Sequence, residues 1–492
     1  MIAEGQQPSP KYIGHLIGAQ MAVGADDSAT FETWDPHDGS LLATVARGST
    51  LNGERAIEAA RQAFDQGPWP RMTPKERHRV LHTLADLVDN QRDALAMLET
   101  KDSGKAINQT VHADIPRVAQ NLRFFADYAA LVSDEAYPDG SLLSYTVHPP
   151  AGVVAAISPW NAPLMLASWK IAPALAFGNT VVLKPAPQTP LTANWFGQLA
   201  LEAGLPPGVL NIVHGFGSDE VGARLTTDPR VDRITFTGSS TTGAQVMRAA
   251  AGNLIPVSAE LGGKSANIVF NDANLDVAIP ESIRGIFAGN GQVCLSGSRL
   301  FVERGIYAEF LDRFTAEAKK LTVGDPKDHS TYLGPLIEQE HLDKVHRYVE
   351  LAQNGGGTVV TGGSQLVNGE YANGFYYPPT IITGMDNSSQ ISQEEIFGPV
   401  EIVIPFDSED EVLAMANDSQ YGLAGILFTT NLDRAHRMAA RWKAGTIWVN
   451  CFFERDLRLP FGGERTSGVG REGGRYSRDF FTEPRAVTLR IH

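Results

Sequence analysis

Short runs of β-branched residues alternate with helical stretches along most of this chain, and that alternation restricts its fold more than any other feature. "GVVAAIS" (152–158), "TVVLKP" (180–185), "VLNIVHG" (209–215), "RITFTGS" (233–239) and "ANIVF" (266–270) each read as a buried strand. Helical segments such as "PLTANWFGQLALEAGL" (190–205) separate several of them. The pattern resumes with "SRLFVE" (298–303), "GTVVTGG" (357–363), "EIVIPF" (401–406), "AGILFTT" (424–430) and "GTIWVN" (445–450), among the helical runs 306–321 and 432–445. Repeated strand, helix and strand call for a parallel sheet wrapped by helices. The expectation is an α/β fold in two successive units that divide near residue 260. A chain of 492 residues is also too long for one ordinary core.

Upstream of these runs the sequence reads as helical. "GERAIEAARQAFDQG" (53–67) carries Ala56, Ile57, Ala60 and Phe64 at helical spacing. Residues 73–100 read as one longer amphipathic helix opened by Thr73 and Pro74, an N-cap and first-turn pair. Two strand-like pieces stand apart, "SLLSYTV" (141–147) and "AVTLRIH" (486–492).

Composition removes several function classes. A formal charge of −15 repels a phosphate backbone, so no nucleic-acid partner is expected. Two cysteines cannot make a disulfide framework, which points to a reducing compartment. The longest stretch without Asp, Glu, Lys or Arg, 140–169, is broken by Pro149, Pro150, Pro159 and Pro163 and does not read as a membrane span. The N-terminus lacks a basic region followed by an apolar run, so no signal peptide is expected and the cytoplasm is the expected location. No metal set is expected either: there is no CxxC or HExxH, and His341 and His346, five apart, do not share a helix face.

Groups capable of chemistry cluster where strands end. Ligands bind beyond the carboxyl ends of strands in an open α/β sheet. Lys184 follows one strand; Gly215 and Gly217 follow another, with Ser218, Asp219 and Glu220 opening a helix; Gly238 and Ser239 follow a third. Glycines there let backbone approach a phosphate, and a helix start offers free N–H donors. Glu260 enters the glycine turn of "SAELGGKSA", and Asn161 lies between two prolines in "ISPWNAPLML". Cys294, in "FAGNGQVCLSGSR", is surrounded by small residues that leave a thiol accessible. Each feature also has an ordinary reading as a packing turn, a helix cap, a solvated charge or a core cysteine.

Together, "SPWNAP", "LKPAPQTP", "FTGS", "ELGGKS", "GNGQVCLSGSR", "EEIFGPV" and "PFGGERTSGVGRE" resemble the aldehyde dehydrogenase superfamily in order and spacing, over essentially the whole chain. The resemblance implies an NAD(P)-binding, Rossmann-like domain (1–128 and 151–260), a catalytic α/β domain (261–460), and a small β flap with bridging segments (129–150 and 478–492) for a homodimer or homotetramer. It implies oxidation of an aldehyde to a carboxylic acid with Cys294 as nucleophile, Glu260 as general base and Asn161 as oxyanion donor. It places the cofactor against Lys184, Trp160, Gly238, Ser239, Glu395 and Phe397. NAD is the expected cofactor, and Pro187, where many NAD-preferring members carry a glutamate, leaves NADP open.

The run "RDLRLPFGG" together with "DIPRVAQNLRFFADYA" (114–129) is similar to the 2-aminomuconic and 2-hydroxymuconic semialdehyde dehydrogenases. That implies a carboxylated semialdehyde substrate held by Arg455, with Trp169 and Phe461 also lining its site. Those enzymes use a second arginine just before "DIPR"; this chain departs from them with Val111 and His112 there, which leaves the muconic substrate itself open, with His112 as the residue that could replace part of the contact. The alternatives are a dehydrogenase of neutral aromatic or aliphatic aldehydes, a cysteine esterase without nicotinamide, a non-catalytic relative and a CoA-acylating enzyme. The presence of Glu260 weighs against the last.

Overall fold

The computed structural model describes residues 12–24, 28–217 and 220–491. Residues 1–11 of the N-terminal reading, Ser218 and Asp219 of the expected helix opening, and His492 lie outside the described residues.

Two large sheets organise the chain. The first contains, in spatial order, Gly468–Val469, Val257–Glu260, Arg233–Thr237, Val153–Ile157, Thr180–Lys184, Leu210–Ile212, His15–Ile17 and Gln20–Val23. Its five central strands, from Val257–Glu260 to Leu210–Ile212, are parallel. From Val153–Ile157 the chain builds outward through two strands on one side, then returns to build Arg233–Thr237 and Val257–Glu260 on the other. The reversal opens a crevice between the carboxyl ends of Val153–Ile157 and Arg233–Thr237, the place where such sheets bind ligands. Thr180–Lys184 is buried at every position. Helices cover both faces, which is why these strands are continuous apolar runs rather than alternating ones. Leu81, Leu84, Leu122, Phe125 and Leu175 pack on one face; Ile57, Ala60, Val246 and Leu225 pack on the other.

The second sheet runs Thr358–Thr361, Thr380–Thr383, Val400–Phe406, Arg299–Glu303, Ala266–Val269, Ala424–Phe428 and Thr446–Val449. Only its edge strand Thr358–Thr361 is antiparallel. The first sheet's Val257–Glu260 strand ends at Glu260 and this sheet begins at Ala266, so one glycine turn joins them. Leu342, Val345 and Val349 cover one face, and Ile279, Phe310 and Phe314 the other.

The upstream region differs from its helical reading. Tyr12–Ile13, Leu41–Ala46 and Thr30–Trp34 form a separate three-stranded sheet. Thr30–Trp34 is mostly exposed, so its apolar positions carry little periodic signal. The expected helix 73–100 is two, Pro74–Asn90 and Arg92–Ser103, separated at Gln91. The break lets the second helix turn Glu99 and Asp102 inward, where they accept hydrogen bonds from the Leu164 and Leu191 amides at the starts of two other helices. Thr73 forms a capping box with Glu76. The two isolated strand readings pair with each other: Leu142–Val147 lies antiparallel between Arg485–Arg490 and Ala136–Asp139.

A candidate active site between the two sheets

The glycines around Cys294 are explained by how closely backbones approach there. A Cβ on Gly263 would lie 2.4 Å from the Cys294 carbonyl oxygen, and one on Gly262 would lie 2.5 Å from Glu395 Oε2. Gly291, at φ +70°, would place a Cβ 2.3 Å from the Gly398 carbonyl carbon. The glycine turn after Glu260, the cysteine loop and the "EEIFGPV" loop are thus in contact through backbone, a fit that side chains would block. The last two loops lead into Arg299–Glu303 and Val400–Phe406. The second sheet therefore presents the amino ends of its strands to the site, while the first presents carboxyl ends.

Side chains hold the cysteine loop in position. Asn290, at φ +60°, donates to the Gly104 and Pro335 carbonyls at 3.1 and 2.8 Å and accepts from the Gly334 amide at 2.8 Å. The Ile337 amide donates to Gln292 Oε1 at 3.1 Å. Asn161 Nδ2 donates to the Gln292 carbonyl at 2.8 Å. A carboxamide nitrogen has two hydrogens, so Asn161 keeps one donor free beside Cys294.

A cleft of about 660 Å³ opens at the sheet reversal. Trp160, Asn161, Gly238, Ser239, Cys294, Glu395 and Phe397 all line it, gathering seven of the residues singled out in the sequence. Ser239 is the N-cap of helix Ser240–Ala251, so that helix start faces the cleft. Lys184 ends the neighbouring strand, paired in register with Ile157, and is not among the lining residues. Its ammonium is buried, which brings it down to about 8, and it donates only to the Pro185 carbonyl at 3.3 Å. The Glu395 carboxylate accepts from the Gly263 amide at 2.8 Å, and burial raises it above its usual range. Phe397 adopts φ +65°, uncommon for a bulky residue, and its ring meets Trp160 edge-on at 5.3 Å.

His341 also lines this cleft, although the sequence reading treated it as ordinary. Its Nε2 is 2.7 Å from the Phe397 carbonyl, and its ring lies 5.4 Å from Trp160. Lys344, one turn further along the same helix, joins it. Nothing local marks these two, because their helix comes from a distant part of the chain.

Burial governs the titrating groups. Enclosure, reinforced by the Glu395 and Glu260 charges, pushes the Cys294 thiol up to about 12, which favours the thiol over the thiolate. Glu260 lies beneath the cleft with neither carboxylate oxygen hydrogen-bonded to protein. Burial raises it well above the ordinary carboxylate range and nearby Glu472 adds to the effect, while Lys170 and Arg455 oppose it. Lys170 and Glu472 pair at 3.0 Å, both buried. Glu472 closes the "PFGGERTSGVGRE" motif, whereas Lys170 carried no motif signal, and nothing in the sequence marks the two as a pair.

A second, much smaller pocket adjoins the first through Leu166, which lines both. Arg455, Trp169 and Arg117 line it. The Arg455 guanidinium is stacked between Trp169 and Phe461, 4.1 and 3.8 Å from the ring centres. Stacking covers both flat faces and leaves only the edge donors available. Arg455 is not paired with its sequence neighbours: Asp456 binds Arg458 at 2.5 Å, and Glu454 is 3.8 Å from Arg284. Neither Arg455 nor Arg117 has a hydrogen-bond or ion-pair partner among the described residues. The structure corrects the sequence reading about the second cation. Val111 is buried, His112 is exposed, and neither lines the pocket. Arg117, within "DIPR" itself, is the residue that does; the motif was in view, but the irregular turn Thr110–Asp114 hides which of its residues face inward.

Comparison with known proteins agrees with this arrangement. Residues 23–487 match the Aldehyde dehydrogenase family. The chain is 46% identical over 487 residues to the 2-hydroxymuconic semialdehyde dehydrogenase of Pseudomonas sp. (strain CF600), covering 98% of this chain and 100% of that one. It is 44% identical over 468 residues to the 2-aminomuconic semialdehyde dehydrogenase of Bos taurus, covering 94% and 96%. An aldehyde dehydrogenase from Bacillus cereus, solved as an NAD+ complex, superposes with a TM-score of 0.95 at 40% identity, covering 98% and 97%. The chain belongs to the aldehyde dehydrogenase family, and its reaction is the oxidation of an aldehyde.

Gly263 tests the backbone contact. Gly263→Ala must displace the Cys294 carbonyl, and a shift of about 1 Å in a reacting group costs on the order of 10²-fold. The variant should fold and lose about that factor in kcat/KM. Wild-type kinetics would show that the contact does not position the nucleophile.

Proposed function

We propose that the protein oxidises a carboxylated semialdehyde to the dicarboxylic acid with NAD or NADP, through a thioester on Cys294. The observation that carries the substrate class is the pair of partnerless arginines, Arg455 and Arg117, beside the cysteine cleft. A guanidinium enclosed by apolar rings is costly without an anion, and its edge fits a carboxylate bidentately.

The cofactor fit rests on the cleft. It lies at the sheet reversal, with the helix start at Ser239 for a pyrophosphate and Glu395 for a ribose hydroxyl. Lys184, one strand along, has no ion-pair partner among the described residues, with Glu220 acting on it only at a distance, and is assigned to the adenosine ribose. A bound nicotinamide dinucleotide supplies the hydride acceptor. Cys294 Sγ attacks the aldehyde carbon as its thiol proton passes to ionised Glu260, the free hydrogen of Asn161 Nδ2 with the Cys294 backbone N–H faces the oxyanion of the thiohemiacetal, and loss of hydride from that adduct to the bound nicotinamide would leave the thioester. Glu260, ionised again, then takes a proton from the water that cleaves the resulting thioester, returning the Cys294 sulfur and releasing the acid. The apolar Leu166 wall and stacked aromatics keep bulk water from the substrate's tail.

Strands Leu142–Val147 and Arg485–Arg490 are assigned to subunit contact in a homodimer or homotetramer. Tyr137, Leu489 and Ile491 are exposed on or beside this small sheet, whose outer strands leave unpaired edges. No helix among the described residues is long and apolar enough to cross a membrane. Cys294 and Cys451 are both free thiols, which fits the reducing cytoplasm.

Three measurements check this account. Only ionised Glu260 can accept a proton, and its pKa is raised, so turnover should rise with pH along a limb well above the ordinary carboxylate range. Glu260→Gln should abolish that limb, give a burst of reduced cofactor and slow steady turnover by about 10²–10⁴-fold; an unchanged steady-state rate would remove Glu260 from the mechanism. Arg455→Ala and Arg117→Ala should each lower kcat/KM on an acidic semialdehyde by tens-fold or more, corresponding to about 1.5–3 kcal/mol for a charged hydrogen bond, and change a neutral aldehyde little. Equal losses on both substrates would make the arginines structural. Light scattering at micromolar concentration should give a dimer or tetramer mass, and a monomer mass would contradict the strand assignment.

A further inference from the structure

Away from the cleft, helices Pro74–Asn90 and Ile115–Leu131 pack side by side. His78 and His82 are four residues apart on the first and therefore share one face. Their rings stack with centroids 4.0 Å apart at 23°. Both Nε2 atoms lie 2.8 Å from the same oxygen, Asp127 Oδ1, on the second helix. The three potential ligand atoms all fall within 4.8 Å of one another. Each histidine side chain is about one-third exposed, at 32% and 31%, so an ion can reach the group from solvent.

We infer that His78, His82 and Asp127 form a site for a divalent first-row transition ion, with water completing the coordination. Imidazole nitrogen favours zinc, nickel, cobalt and copper over magnesium or calcium. Metal–ligand distances of about 2.0–2.1 Å put neighbouring ligands about 2.9 Å apart in octahedral and about 3.3 Å apart in tetrahedral coordination, so the observed N···O separations of 2.8 Å need only open by a few tenths of an ångström. The group needs a small opening to admit an ion rather than a rearrangement of helices. Arg123, one turn before Asp127, is engaged by Asp86 and Asp89 and so does not compete for the Asp127 carboxylate. A bound ion would tie the two helices together. The second helix also carries Arg117 and Asn121, which line the Arg455 pocket near its opposite end. The histidines escape a motif search because Asp127 is 45 residues from His82 in the chain and no zinc-protease or CxxC pattern surrounds them.

The probes are Zn2+ and Ni2+ chlorides, titrated calorimetrically into the full-length Cys294→Ala/Cys451→Ala protein so that no thiol competes. The expected result is one equivalent per chain and a thermal midpoint that rises with ion concentration, since a ligand of the folded state stabilises it. In that background His82→Gln and, separately, His78→Gln should each weaken binding by about tenfold or more and remove the thermal shift. Should either variant fail to fold, anomalous diffraction from a Ni2+-soaked crystal of the parent protein should place the ion between His78, His82 and Asp127. No measurable binding to the parent, binding to either histidine variant as tight as to the parent, or an ion located elsewhere would overturn the site.

Discussion

Everything at this site depends on backbones meeting where no Cβ would fit. Gly262 and Gly263 bring the end of one sheet onto the Cys294 carbonyl and the Glu395 carboxylate, and Gly291 brings the cysteine loop onto Gly398. Because Val257–Glu260 and Ala266–Val269 are separated by that turn alone, the same residues that join the two sheets also bring together Cys294, Glu260 and Glu395, to which the proposed function assigns the nucleophile, the base and a cofactor contact. Folding and catalysis share one constraint there.

The contact has an electrostatic consequence. It encloses Cys294 and Glu260 enough that burial holds both in their neutral forms, thiol and carboxylic acid, further up the pH scale than in water. The enclosed Lys170–Glu472 pair and the stacked Arg455 lie around Glu260, so its charge state depends on several elements at once. A substrate carboxylate would supply the directly bonded anion that Arg455 and Arg117 lack among the described residues, where Glu472, Glu260 and Glu454 act on them only at a distance. In the proposed function, binding of a substrate carboxylate and the ionisation of Glu260 are therefore linked through one small group of charges.

Much of this was legible in the sequence where a residue's role is local. The strands flanking the cleft declare themselves by β-branched runs, and Asn161, Gly238, Ser239, Glu260 and Cys294 are marked by the turns that follow or precede them. What could not be read comes from assembly at a distance. His341 and Lys344 reach the cleft on a remote helix. Lys170 and Glu472 meet across 302 residues. Arg117 was inside a recognised motif, yet which residue of "DIPR" faces the pocket depends on an irregular turn that no simple periodicity describes. The upstream sheet was missed because strands of two to six residues, partly exposed, give too little alternation to detect. The helix read across 73–100 was too long because periodicity does not register the turn at Gln91.

The central claim is that the paired arginines select a carboxylate at the far end of an aldehyde. It is tested most directly on the wild-type enzyme, by comparing kcat/KM for a six-carbon semialdehyde acid with that for its methyl ester. The two share a reacting group and a six-carbon backbone; the ester removes the charge proposed to meet Arg455 and Arg117 and adds one methyl. The account predicts that the free acid is preferred by about tenfold or more, the scale of one charged hydrogen bond. An ester oxidised as efficiently as the acid would contradict it.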